Sequence, residues 1–279
     1  MSVIRDFALR RLQTAMAKKA RIDLSGSAIV FAPHPDDETL GCGGTIIRKK
    51  QTGASIKIVF MTDGSGSHRR FMAAVELKQM RRCEALAAAQ ALGVEKEDVL
   101  FLGFEDGQLK DCFEPMRDRL SHLIAEHKPE QIYVTHPQEP HSDHSALYAA
   151  AIASIQHMST APLIYAYPVW YWRQWPWTQL ASDSKKETLR IAQTTLGNYL
   201  GARAFSDFQY SVDIESVLAQ KRAALSWHAS QMERFADNPD WPVLSDVSNG
   251  NFLDCFFQPY ETFYRPDLSR KGSSETSVC

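Results

Sequence analysis

Four short apolar runs, each separated from the next by a stretch with helical spacing, restrict this chain to one fold class. The runs are Ser27 to Pro33 (SAIVFAP), Ser55 to Thr62 (SIKIVFMT), Val99 to Gly103 (VLFLG) and Gln131 to Pro137 (QIYVTHP). A continuous apolar run closed by proline, glycine or a polar loop is the pattern of a buried strand. Between them, Leu40 to Gln51 carries glycines at 41, 43 and 44 and reads as a tight turn opening into a helix. Phe71 to Leu92 reads as a long helix stopped by Gly93, Glu114 to His127 as another, and the alanine-rich segment after His144 as a fourth. Strand alternates with helix four times, which predicts a Rossmann-like α/β fold: a mostly parallel sheet with helices on both faces. Such sheets place ligands outside the carboxyl ends of their strands.

The polar clusters fall at those ends. His34, Asp36, Asp37 and Glu38 follow the first run, Thr62 to Gly64 the second, Asp106 the third, and His136 to His144 the fourth. His34 and Asp37 can converge on one divalent metal through imidazole nitrogen and carboxylate oxygen, leaving Asp36 to handle a proton. The third ligand comes from His141, Asp143 and His144 in the stretch PHSDH. One histidine completes a two-histidine, one-carboxylate site while the other stands beside the metal as an imidazolium; geometry decides which. If the helix begins near Ser142, His144 points into the crevice and His141 reaches over the substrate, with Asp143 orienting a histidine. A metal in such a site lowers the pKa of a bound water and polarises a carbonyl, which suits hydrolysis of an amide or ester. Asp36 would take the proton, and His141, kept charged by neighbouring carboxylates, would stabilise the oxyanion or protonate the leaving nitrogen. Cys42 has no base placed for it and reads as a buried filler, and His136 as a loop hydrogen-bonder.

Composition narrows the class further. With 279 residues, 44% hydrophobic and 23% charged, the chain has the make-up of a globular protein with a sizeable core. A net charge of -2 leaves no electrostatic footprint for nucleic acid. Five scattered cysteines, none in C-x-x-C spacing, argue against a disulfide framework and fit a reducing cytoplasm. The glycines at 41, 43 and 44 match no phosphate-loop motif. Residues 1–25 read as a basic amphipathic helix, with Ile4, Phe7, Leu12 and Met16 near helical spacing and Arg10, Arg11, Lys18, Lys19 and Arg21 around them. Its simpler role is docking on its own domain; the alternative is peripheral contact with an anionic membrane. The remainder, 26–279, reads as one domain with an elaborated C-terminal part and no separating linker. There, PLIYAYPVWYW reads as a fifth strand, FQYSVDI as an extended stretch, Glu215 to Ala229 as a helix and CFFQPYETFYR as a last strand. Four of six tryptophans crowd into Trp170 to Trp177, where they either face a site mouth or are buried at a subunit contact. A homo-oligomer is compatible with the second arrangement.

APHPDDETLGCGG, followed far downstream by PHSDH, resembles the PIG-L and LmbE-like de-N-acetylase family. Thr62-Asp63-Gly64, Arg81 and Glu84 in RCEALAAAQALGV, Asp106-Gly107, and KRAALSWHASQ at Lys221 to Gln231 sit in the same order. The resemblance implies zinc, or ferrous iron, held by His34, Asp37 and His144, with Asp36 as general base. It implies His141 as oxyanion stabiliser or acid, oriented by Asp143, and Arg81 and Asp106 as binders of sugar hydroxyls. His228 and Gln231 belong to a family motif to which it assigns no role. Ser142 stands where the family usually has proline; serine caps a helix as well as proline starts one, so the geometry should survive. The implied reaction is removal of an acetyl or other acyl group from an N-acetylglucosaminyl-type amino sugar or glycoconjugate. Alternatives are hydrolysis of another amide, such as an amino-sugar thiol conjugate or an antibiotic precursor, and a catalytically silent carbohydrate-binding protein of the same fold.

Overall fold

The computed structural model describes residues 2–156, 158–174, 201–235 and 238–268. Helix α1 (Ser2–Met16) and the short strand β1 (Ala20–Arg21) precede the central sheet. That sheet holds β2 (Ala28–Ala32), β3 (Ile56–Thr62), β4 (Val99–Phe104), β5 (Gln131–Thr135) and β6 (Leu163–Tyr167). All of its pairings are parallel and the spatial order is β4-β3-β2-β5-β6. The connecting helices are α2 (Asp37–Gln51), α3 (Ala74–Ala91), α4 (Phe113–His127) and α5 (Ser142–Ser154). The expected α/β architecture is present, and the segment at 162–172 does supply the fifth strand.

Alternation along the strands explains why both faces are covered. Val30, Ile58, Phe60, Tyr133 and Tyr165 pack into one core with α2 and α3, while Ile29, Phe31, Val59, Met61, Ile132 and Val134 pack into a second with α4 and α5. Each fully buried side chain of this kind contributes roughly 1.5–3 kcal/mol relative to an exposed one. The first core also takes Leu9, Leu12 and Met16 of α1, so that helix docks on its own chain, leaving Phe7, Arg10 and Arg11 exposed. A second sheet that sequence reading did not separate, of order β1-β7-β8, uses β7 (Tyr210–Asp213) and β8 (Tyr260–Phe263) and packs Val212 and Phe263 against the same core. No helix among the described residues is long and apolar enough to cross a membrane.

Helix α2 departs from the expectation. It begins at Asp37, so the glycines lie inside the helix and not in a turn, and the backbone leaves helical geometry at Cys42 (φ -144, ψ 19). The glycines serve close approach: a Cβ on Gly41 would lie 2.0 Å from the Tyr167 ring, and one on Gly44 would lie 2.6 Å from Ile214. The N–H groups of Gly44 and Thr45 donate instead to Glu261 at 2.8 and 2.7 Å. Because Tyr167 also donates its hydroxyl to the Phe31 carbonyl at 2.8 Å, the first turn of α2 is pinned over the end of β2. The expected helix 215–229 is likewise broken, into a short turn at Glu215–Val217, the helix Leu218–Ser226 and a further turn at Ala229–Met232. The break falls at His228, just before Ser230 donates its N–H and hydroxyl to Glu84 at 2.7 and 2.6 Å.

Candidate active site

Chain order reverses across the sheet between β2 and β5, and a crevice opens outside the carboxyl ends of strands at such a switch point. His34 leaves the end of β2, and His141 and His144 follow the end of β5, so the two sequence clusters flank this crevice. A cavity of about 540 Å³ opens there, with His34, Asp36, Asp37, Asp106 and His141 at its polar end and Trp170, Pro242, Val243, Leu244 and Val247 along its apolar wall.

At the floor, three atoms form a nearly equilateral triangle. His34 Nδ1 lies 3.2 Å from Asp37 Oδ2, and His144 Nε2 lies 3.3 Å from each of them. Tetrahedral ligands about 2.0–2.1 Å from a zinc ion stand about 3.3–3.4 Å apart, so these residues fit a divalent metal. The set His34, His141 and Asp143 is also close enough to hold an ion. Asp143, however, is committed elsewhere: its carboxylate accepts the N–H groups of Gly107 and Leu109 at 2.8 and 3.2 Å. The first set is the better metal centre.

The electrostatics ask for a cation. Burial pushes the His34 pKa down, but Asp106, Asp143 and Asp37 override it and raise it well above the ordinary histidine value. Burial likewise works against protonation of His144, yet Asp37 and Glu139 bring its pKa up to about 9. Burial opposes ionisation of Asp37, and His144 and His34 nevertheless hold its carboxyl far below the usual range. Protons thus occupy a site rich in carboxylates, and a metal ion would displace them.

Local chemistry positions each ligand. Asp37 turns back to accept the His34 N–H at 3.0 Å, closing a ring that fixes both. His141 is the N-cap of α5, so His144 lies in the first helical turn, as the Ser142 start requires. The cap is the His141 ring, not Ser142: its Nδ1 accepts the Asp143 N–H at 3.3 Å. That bond leaves the ring proton on Nε2. Two expectations need correction. Asp143 does not orient His141 through its carboxylate, which faces His34 Nε2 at 3.3 Å because Gly107 and Leu109 hold it there. Nor is His141 kept charged: burial, then His34 and His144, push its pKa down.

Arg81 and Asp106 line the cavity, but both are tied into the frame. Arg81 is buried and donates to the carbonyls of Gly64 and Pro35 at 2.8 and 2.6 Å, and Asp106 accepts the Gly66 N–H at 2.8 Å and lies 3.1 Å from His34 Nε2. Asp36 also lines the cavity, and burial pushes its pKa up to about 7, with Arg81 opposing and Asp37 adding to the shift. His136 is buried against Tyr171, Phe208 and Tyr264 and accepts the Gln138 N–H, a structural role. Cys42 is buried with its thiol pKa pushed well up by burial, as a filler should be. Trp170 lines the cavity and Trp172 is buried in the core, whereas Trp175 and Trp177 lie outside the described residues. Sequence reading missed Glu139, whose Oε2 stands 3.2 Å from His144 Nδ1 while its carboxylate accepts the N–H groups of Val169, Trp170 and Tyr171. Its position in the same loop as PHSDH was the available signal.

The family described as PIG-L: GlcNAc-PI de-N-acetylase matches residues 29–155, the stretch that carries every one of these ligands. The match covers a little under half of the chain. The chain is 28% identical over 146 residues to a probable N-acetyl-alpha-D-glucosaminyl L-malate deacetylase 2 of Bacillus cereus, covering 50% of this chain and 66% of that protein. It is 31% identical over 136 residues to a diacetylchitobiose deacetylase of Thermococcus kodakarensis, covering 48% and 50%. The matches therefore span from half to just under two thirds of these relatives' lengths. A solved N,N'-diacetylchitobiose deacetylase from Pyrococcus horikoshii superposes with a TM-score of 0.60 at 22% identity, over 91% of this chain and 86% of that one, so residues 29–155 and the C-terminal part share that fold.

Proposed function

We propose that this protein is a metal-dependent hydrolase that removes the acetyl group from an N-acetylated amino sugar or its glycoconjugate. The observation that carries the reading is the triangle of His34, Asp37 and His144 at the floor of a cavity that Asp36 and His141 also line. The relatives named as deacetylases of N-acetylglucosaminyl compounds support the substrate class. His34, Asp37 and His144 would hold a divalent cation, zinc or ferrous iron, which would supply a Lewis acid to acidify water and polarise the amide carbonyl.

Asp36, with a pKa near neutrality, accepts the proton of the attacking water. His141 donates its Nε2 hydrogen to the carbonyl oxygen as negative charge develops there, a role a neutral imidazole fills. With His141 neutral, the proton that Asp36 took is the one returned to the departing nitrogen, so water and amide become acetic acid and amine, which part in solution as acetate and ammonium. Glu139 and Asp143 act through His144 and His34, and Arg81 acts through the Pro35 and Gly64 carbonyls; Asp106 remains the candidate for a sugar hydroxyl. Contact of α1 with an anionic membrane is a separate proposal, supported by the outward Phe7, Arg10 and Arg11 and tested by co-sedimentation with anionic vesicles.

The test is metal stoichiometry together with acetate release from a panel of N-acetylglucosamine derivatives, with and without a chelator. About one metal per chain and chelator-sensitive release are expected; bound metal without release from any member would overturn the substrate class.

A further inference from the structure

Asp36 holds a backbone conformation that side-chain-bearing residues rarely adopt, φ 130 and ψ -29. Such a conformation persists only where the surroundings enforce it, and it aims the side chain at the cavity. The enforcing contacts lie on either side of the residue. Arg81 grips the preceding Pro35 carbonyl at 2.6 Å. The Asp36 N–H itself donates to Glu38 Oε2 at 3.0 Å.

Glu38 is fully buried and does not line the cavity, so it cannot touch substrate. Its other oxygen, Oε1, accepts the Thr39 hydroxyl at 2.6 Å and faces His228 Nε2 at 3.1 Å. His228 is fully buried as well, and its backbone is anchored away from the site. On one side Lys221 donates to the Leu40 carbonyl at 2.8 Å, and on the other Ser230 clamps Glu84 of α3. The break in the helix at His228 therefore delivers one imidazole to the back of one carboxylate.

We infer that Glu38 and His228 are positioning residues for Asp36: His228 holds Glu38, and Glu38 holds the Asp36 amide in the conformation that presents its carboxylate to the cavity. This rests on the reading of Asp36 as base, and it gives a role to His228 in the LSWHASQ stretch, whose Gln231 lines the cavity.

The test compares His228→Ala, His228→Gln and wild type for metal content, kcat and KM, and determines the crystal structures of all three. His228→Ala is expected to bind metal as wild type does, to keep its KM and to lose about 10- to 100-fold in kcat, the scale of a misplaced catalytic group. His228→Gln, which retains an N–H donor, should recover most of that loss, and Asp36 should leave the positive-φ region in His228→Ala only. An unchanged kcat, metal lost in step with activity, or an unmoved Asp36 backbone in His228→Ala would each overturn the inference. Should His228→Ala not fold, Glu38→Gln serves instead: a single acceptor oxygen cannot serve both Asp36 and His228, so a smaller kcat loss with metal retained is expected, and a wild-type kcat counts against the role. If wild type deacetylates no member of the panel, the functional reading fails by itself, and the Asp36 backbone in the variant crystals still decides this one.

Discussion

Glu261 and Asp36 are both buried carboxylates against helix α2, each with a basic side chain in reach, yet they are furnished in opposite ways. Glu261 accepts four donors: the N–H groups of Gly44 and Thr45, the Thr45 hydroxyl at 2.6 Å and the Lys221 ammonium at 2.7 Å. Asp36 has only a long approach from Arg81 at 3.5 Å, because the guanidinium spends its short bonds on two backbone carbonyls. A carboxylate whose lone pairs are all engaged is locked in place and works as framework. One left short of donors in a dry place is ready to take a proton. Hydrogen-bond supply, more than burial or charge, separates the two.

The contrast breaks most sharply under substitution. Asp36→Asn should lower turnover by about 10²- to 10⁴-fold with metal content and thermal stability unharmed, read by acetate release, metal analysis and a melting scan. His144→Ala should lose both metal and turnover, and a variant that kept its metal would put the ligand set in doubt. Glu261→Ala should do the converse of Asp36→Asn. Leaving the buried Lys221 charge without its carboxylate and two amides of α2 without an acceptor should cost roughly 3–5 kcal/mol, seen in denaturant unfolding, while the molecules that remain folded turn over normally.

His136 sharpens the comparison, since its Nε2 is buried and without a hydrogen bond yet faces aromatic rings and no cavity. Burial, with Arg203 adding to it, pushes its pKa down to about 3 from an ordinary 6.5. Between those values the unfolded chain takes up a proton that the folded chain refuses, so stability falls as pH falls below about 6.5. At pH 5 the loss is about 2 kcal/mol, and His136→Phe should remove that acid sensitivity in unfolding curves measured from pH 7 to 5. Cys42→Ala should have the smallest effect, about 1 kcal/mol of stability and no change in turnover. A large loss of turnover would make the thiol part of the chemistry after all.

What the sequence made legible follows from what is local. The strands could be read because apolar runs need no distant partner to be recognised. The convergence of His34, Asp37 and His144 could be read because His34 and Asp37 lie three residues apart and His144 opens a helix after another strand of the same sheet. Glu38, Glu139 and Glu261 could not be weighed, since their roles come from donors supplied 30 to 217 residues away, several of them backbone amides with no signature of their own, as with Gly44 and the segment Val169 to Tyr171. The errors at Asp143 and His141 have the same origin. The residues alone left open which histidine Asp143 orients and the family resemblance pointed to His141, whereas the loop at Gly107 and Leu109 had already claimed the carboxylate and turned it to His34. Glycine content misled at α2 because close packing against Tyr167 and a turn ask for the same residue.

The carboxylate of Glu139 serves two masters. It steadies His144 on one side, and on the other it gathers three consecutive amides at the start of the wall segment that carries Trp170. On the proposed function, recognition at the Trp170 wall and retention of the ion would not be separable inheritances in this protein. A change that reshapes the mouth near Trp170 pulls on the same bearing that seats His144, so a lineage or an engineer that alters the cavity there would shift the His144 ring in the same step.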